Sequence, residues 1–209
     1  MDNSFVTLDR IGEGTYEEKK SVFIGVAYPI ETEQDALDVI KAHKKKYYDA
    51  RHNCYAYVLK DGVTQRFSDD GEPQGSAGLP MLNVLQKKEL CGACVVVTRY
   101  FGGTLLGVGG LVRAYTQATV DAVEDAGIKK FEKFTDISVR LSYSDYGKLP
   151  KLLAQFTVMD ERSDFTDSVT VSLSVLSEEA EKLVAELTES GNGRWLVNIL
   201  GEKWGFRSI

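Results

Sequence analysis

The 209-residue chain carries 31 acidic against 25 basic side chains, a formal net charge of −6, with 43% hydrophobic and 27% charged residues. That length is enough to bury a core in one large domain or two small ones, and no apolar run nears the roughly 18 residues of a membrane span. The acidic balance sets the whole-molecule field against nucleic acid, so any RNA contact needs a local basic face. The N-terminal stretch MDNSFVTLDRIGEGTYEEKK has no basic region ahead of an apolar one, which argues against a secretory leader and for a cytoplasmic location. Three cysteines are too few, and odd in number, for a disulfide framework.

Taken in order, EKKSVFIGVAYPI reads as a strand ending at Pro29, and TEQDALDVIKAHKKKYY as a helix with Ala36, Leu37, Ile40 and His43 on one side. NCYAYVLKDG is a strand running into a turn at Asp61-Gly62. SAGLPMLNVLQKKE is a helix with Pro80 in its first turn, where a missing N–H is tolerated. CGACVVVTRYF contains a nearly continuous apolar strand. GGLVRAYTQATVDAVEDAG then gives a helix with Leu111, Tyr115, Ala118, Ala122 and Ala126 on its buried stripe.

The composition shifts near residue 130, where KKFEKF (129–134) reads as a polar connector. Beyond it, TDISVRLSY is a strand, DYGKLPKLLAQF a helix, and TVMDER and DSVTVSLSVL two more strands. SEEAEKLVAELTESG is a helix with a serine cap, closing on Gly191, and RWLVNILGEKW is a last strand. The order β-α-β-β-α-β is the ferredoxin-like arrangement. The expectation is an α+β protein of two domains, residues 1–134 and 135–209, carrying net charges of −2 and −4.

The segment RYFGGTLLGVGGLVRAY (99–115) packs five glycines, Gly102, Gly103, Gly107, Gly109 and Gly110, between Arg99 and Arg113. It lacks the lysine of a P-loop and the spacing of a dinucleotide fingerprint, yet strand, loop and helix stand in the order that presents an anion to a helix N-terminus. Glycines also supply turns and close packing. The segment is therefore expected to be a packing and turn element whose exposed edge, with Arg99 and Arg113, accepts an anion.

SDDGEPQGSAG (68–78) clusters Asp69, Asp70 and Glu72. Its Asp-Gly and Glu-Pro pairs form turns, and no full ligand set for a metal is visible, so no metal or other cofactor is expected. CGAC (91–94) precedes its strand instead of opening a helix, so buried reduced thiols are expected rather than a redox pair or zinc site. Of the two histidines, His43 falls on a helix stripe, and His52, just before a strand, is better placed for a polar site. KAHKKKYYDAR (41–51) is the one basic cluster, read as a solvated helix end.

DARHNCYAY, FSDDGEPQGSAGLPML and TRYFGGTLLGVGGLVRAY, in that order over residues 15–128, closely resemble the IMPACT/YigZ family. The remainder resembles the extra domain of its bacterial YigZ-type members. The resemblance implies a first domain like that shared by a small-ribosomal-subunit protein, elongation factor G and the GHMP kinases. It implies a second domain like the C-terminal ferredoxin-like domain of elongation factor G. Eukaryotic members regulate translation by competing for the activator of the amino-acid-starvation kinase, through a further N-terminal domain that this sequence does not match.

No catalytic residues transfer from the family. The functional expectation is therefore a translation-linked binding protein, not an enzyme, that contacts RNA, the ribosome or a protein partner in translational control. Its anion or RNA site is expected at Arg99, Tyr100, Gly102, Gly103, Gly109, Gly110 and Arg113, with His52, Asp69, Asp70 and Glu72 as a polar site beside it. The alternative is an enzyme acting on a phosphate- or nucleotide-bearing small molecule. The residues leave open whether the two arginines bind an anion or pair with the acidic loop.

Overall fold

A sheet whose central strands are apolar on both faces organises the N-terminal half. The structure, a computed structural model, describes residues 4–209. The start of the expected first domain, residues 1–3, lies outside the described residues. Two compact units form: Phe5–Lys130 with Arg207–Ile209, and Phe131–Phe206.

In the first unit, strands β2 (Gly12–Glu18), β3 (Ser21–Pro29), β4 (His52–Val58), β5 (Gln65–Ser68) and β6 (Ala93–Tyr100) form an antiparallel sheet of order β2-β3-β6-β4-β5. Because successive side chains point to opposite faces, Phe23, Ala27, Cys54, Ala56, Val95 and Val97 go one way. They pack under α2 (Gly78–Lys87) and α3 (Gly107–Ala126). Tyr57, Cys94 and Val96 go the other way, under Ala36 and Ile40 of α1 (Glu33–Lys46). Thr32 caps α1 in a reciprocal bond with Asp35. Leu37, expected on the buried side, is 48% exposed. The first strand of the chain, β1 (Phe5–Leu8), and β2 carry too little hydrophobic alternation to be read from sequence.

The segment 129–134 is not a connector. It belongs to β7 (Ile128–Leu141), a single strand. Its charges mimic a loop in composition, but they find partners: Lys129 lies 3.5 Å from Asp9, and Lys133 lies 2.6 Å from Glu202. Phe131 stacks on Trp204, and Phe134 is fully buried.

In the second unit, α4 (Tyr143–Tyr146) and α5 (Leu149–Leu153) replace the single expected helix. β8 (Val158–Phe165), β9 (Val169–Leu176), α6 (Ala180–Ser190) and β10 (Leu196–Ser208) follow. β7 lies between β9 and β10, and β8 flanks β9; β1 also pairs with β7. Ile137, Val139, Val171, Leu173 and Val175 meet Leu149, Leu183 and Leu187 in one core. The expected serine cap fails: the Ser177 hydroxyl bonds Thr135 at 2.9 Å, and a 3-10 turn (Ser177–Glu179) precedes α6. Among the described residues no helix is long and apolar enough to cross a membrane.

Candidate functional site

Where β4 begins and β6 ends, His52 and Arg99 sit directly opposite each other. The loop from Asp69 to Ala77 folds over this end of the sheet, and its carboxylates are divided among separate partners. Asp69 accepts from the backbone N–H groups of Gly75, Ala77 and Gly78 at 2.8, 3.0 and 2.9 Å, capping α2 from a distance in sequence. Asp70 takes the Lys44 ammonium and the Asn53 N–H, each at 2.7 Å. Its backbone oxygen accepts the Nδ1–H of His52 at 2.9 Å, which leaves Nε2 of that ring as the free nitrogen.

Glu72 makes the deepest contact. Its two oxygens accept from Arg99 Nη1 at 2.8 and 3.0 Å, and Oε1 also accepts the Tyr115 hydroxyl at 2.8 Å. The Arg99 and Glu72 side chains are 7% and 3% exposed. Phe23 and Phe101 lie on the Arg99 guanidinium, each 5.5 Å away. Burial raises the Tyr115 pKa and that of Cys54, whose Sγ–H donates to the Asp69 carbonyl oxygen at 2.9 Å. Arg99 Nε is buried and has no hydrogen-bond partner among the described residues.

The open question about the arginines is therefore answered differently for each. Arg99 pairs with the acidic loop, through Glu72 alone. Arg113 is exposed, lies beside Gly109 and Gly110, and makes no ion pair among the described residues.

Arg99 also lines a cleft of about 360 Å³ with Asp49, Arg51, His52, Phe101 and Leu105. Tyr100 completes the wall and donates its hydroxyl to Asp49 at 2.8 Å. The loop past Leu105 leads straight into α3, whose first turn has no capping side chain and no acidic residue. Gly107, Val108 and Gly109 are exposed there, so their N–H groups face outward with the positive end of the helix dipole.

The five glycines do different jobs. A Cβ on Gly102 would overlap the Lys20–Ser21 backbone, and its N–H donates to Ser21 Oγ at 3.1 Å. Gly103 and Gly107 have φ of 83° and 70°, with open space around them. Gly110 is buried against Leu106, and Gly109 is open. The close approach of α3 to the sheet, expected of this motif, is made instead by Gly12, Gly14 and Gly25 against Ala118, Asp121, Ala122 and Ala126.

The cleft residues Asp49, Arg51, Phe101 and Leu105 were not singled out by spacing. Arg51 and Asp49 end the basic cluster read as a solvated helix end, and Phe101 stands inside the glycine motif. The three cysteines are free thiols, and burial raises the pKa of each. No three His, Cys, Asp or Glu side chains converge as a metal set among the described residues.

A two-sheet α+β chain with a glycine loop joining an apolar strand to a helix is the class that these features define. Residues 19–123 match the Impact N-terminal domain, and residues 139–194 match a domain of unknown function, DUF1949. The chain belongs to the IMPACT family. It is 35% identical to the family member YvyE of Bacillus subtilis, covering 93% of this chain and 90% of that one. It is 31% identical to YigZ of Escherichia coli, covering 85% and 88%. The similarity to the Dictyostelium discoideum IMPACT homolog, at 39%, covers only 43% of this chain and 27% of that one. A crystal structure of a hypothetical protein, 29% identical and covering 94% of this chain and 97% of its own, superposes with a TM-score of 0.60.

Proposed function

We propose that this protein is a translation-linked binding protein that contacts RNA through the open first turn of α3 and the arginine-lined cleft beside it. One observation carries the reading. The uncapped, exposed turn Gly107-Val108-Gly109 has beside it Arg113, which makes no ion pair among the described residues, and Arg99 lines the neighbouring cleft. Free backbone N–H groups, a helix dipole and flanking cations are what a phosphate group requires.

Fluorescence anisotropy with a single-stranded RNA oligomer at low salt tests this. Arg113 is exposed and makes no ion pair among the described residues, so Arg113→Ala should leave the thermal midpoint unchanged and weaken binding about tenfold, the value of one lost charge-assisted contact. Absence of RNA binding by the unaltered protein at 50 mM salt overturns the reading. A partner in translational control, protein or ribosome, is part of the same proposal and would use this face.

A second reading is an enzyme acting on a phosphate- or nucleotide-bearing small molecule. In its favour stands His52, which lines the cleft with Nδ1 occupied and Nε2 free, the arrangement of a general base. Turnover of a nucleotide substrate that is lost in His52→Gln would select it.

A further inference from the structure

Resting on the RNA reading, we infer that the cleft at the His52–Arg99 end of the sheet is a seat for a single ribonucleotide. It would hold the phosphate by Arg99 and Arg51, the base against Phe101, and the ribose hydroxyls by Asp49.

Three chemistries meet in one space, and each matches one part of that ligand. The cationic side comes first. Arg99 is 93% removed from solvent as a side chain, spends Nη1 on Glu72, and keeps Nε without a partner. The part of the Arg99 side chain that stays accessible lines the cleft, where its positive charge attracts an entering anion. Arg51 is exposed at the rim, makes no ion pair among the described residues, and adds a second cation. The Glu72 carboxylate already balances Arg99, so an anion there needs Arg51 as its net counter-charge.

The apolar side is Phe101, 56% exposed, with Leu105, 82% exposed, on the same loop. Large apolar groups left in water at the mouth of a cleft form a stacking surface, and stacking on an aromatic ring is tolerant of which base it receives. The Phe101 ring is held in place by the Arg99 guanidinium 5.5 Å from its centre.

The third side argues against a bare inorganic anion. Asp49 stands at the rim and accepts the Tyr100 hydroxyl on Oδ1, which leaves Oδ2 to accept from a ligand. A carboxylate repels phosphate but pairs with ribose hydroxyls, the role of the acidic residue in dinucleotide sites. It also separates RNA from DNA, since the 2′-hydroxyl is the group that differs. The volume, about 360 Å³, lies at the small end of ligand clefts, which suits one nucleotide and no more.

The shared chemistry is a ribonucleoside 5′-phosphate, either free or as one unstacked residue of an RNA. Isothermal titration of the whole protein with AMP, UMP, 2′-deoxy-AMP, adenosine and inorganic phosphate tests the seat, in parallel with RNA anisotropy. AMP and UMP should bind within threefold of each other. Adenosine, inorganic phosphate and 2′-deoxy-AMP should each bind at least tenfold more weakly than AMP. Arg51→Ala should weaken AMP about tenfold, and Asp49→Asn should abolish the preference for AMP over 2′-deoxy-AMP; both side chains are exposed, so folding is not at stake. AMP binding without RNA binding supports the seat and removes the RNA reading. RNA binding with no AMP binding at millimolar concentration overturns the seat and leaves the RNA reading in place. Inorganic phosphate binding as tightly as AMP, or no discrimination against the deoxy sugar, also overturns it.

Discussion

The Arg99–Glu72–Tyr115 cluster sets the terms on which the cleft exists. Removing one partner of a buried ion pair leaves the other charge uncompensated, which costs about 3–5 kcal/mol. Glu72→Ala should therefore lower the free energy of unfolding by that amount in a urea titration, and Tyr115→Phe by about 1.5–3 kcal/mol for one hydrogen bond to a charged group. A Glu72→Ala loss below 1 kcal/mol would show that Arg99 reaches water on its own. On the opposite face of the sheet, His43 closes a run of donors. Tyr28 O–H donates to Nδ1 at 3.1 Å, Nε2–H donates to Thr98 Oγ1 at 2.8 Å, and Thr98 donates to Asn53 Oδ1 at 2.6 Å. Burial, with a smaller push from Lys46, lowers the His43 pKa to about 4, and the ring is only 2% exposed. Because the folded pKa lies below the unfolded one, the unfolded chain takes up the proton first as pH falls. Stability is then lost from about pH 6.5 downward, by roughly 2 kcal/mol between pH 7 and 5. His43→Gln should flatten that stretch of a stability–pH curve, and an unchanged slope would remove His43 as its source.

At the scale of elements, the glycine loop separates two mechanisms that substitution can tell apart. Gly102→Ala forces a methyl into the Lys20–Ser21 backbone, and overpacking of that kind costs up to about 3 kcal/mol. Gly103→Val meets no atom but must hold φ at 83°, a strain of about 1–2 kcal/mol for a branched residue. Thermal midpoints should fall in both variants, further for Gly102→Ala, and the reverse order would refute this division of labour. The same loop shows what could be read ahead of the structure. The helices carrying Ala36, Pro80 and Tyr115 and the strand Ala93–Tyr100 were legible, because apolar periodicity over ten or more residues, or an unbroken apolar run, has few competitors. β7 was not: Lys129 and Lys133 look like loop residues until Asp9 and Glu202, distant in sequence, come alongside. The strand bearing Gly12 and Gly14 was invisible for a related reason, since its glycines serve the closeness of α3 and leave no hydrophobic alternation. The cleft was half legible. Arg99, His52, Asp49 and Arg51 all stand in recognisable motifs, but that Asp49 and Arg51 share a cleft with Arg99 follows only from the antiparallel pairing of β4 and β6, which sets His52 opposite Arg99.

For the whole molecule, charge limits how RNA can be held. The net charge is −6, and residues 135–209 contribute −4 of it, so under the RNA proposal a polyanion would have to be held at a small basic focus against the field of the whole molecule. At that focus Arg51 and Arg113 are the cations without an ion pair among the described residues, while Arg99 is neutralised by Glu72. Each phosphate neutralised on a single strand releases counterions worth a slope of about −0.7 in log K against log salt, so two contacts give about −1.4. Affinity for a single-stranded RNA oligomer should accordingly fall only about sevenfold between 50 and 200 mM salt. In Arg113→Ala the slope should drop to about −0.7, whereas an alanine at the glycine-loop position Gly109, where a Cβ meets only the Arg113 side chain at 3.8 Å, should leave it unchanged. Anisotropy titrations at four salt concentrations measure all three slopes. A wild-type slope steeper than about −4 would mean that the exposed lysines of α1, Lys41 and Lys45, carry the RNA instead, and the two-arginine focus would have to be given up.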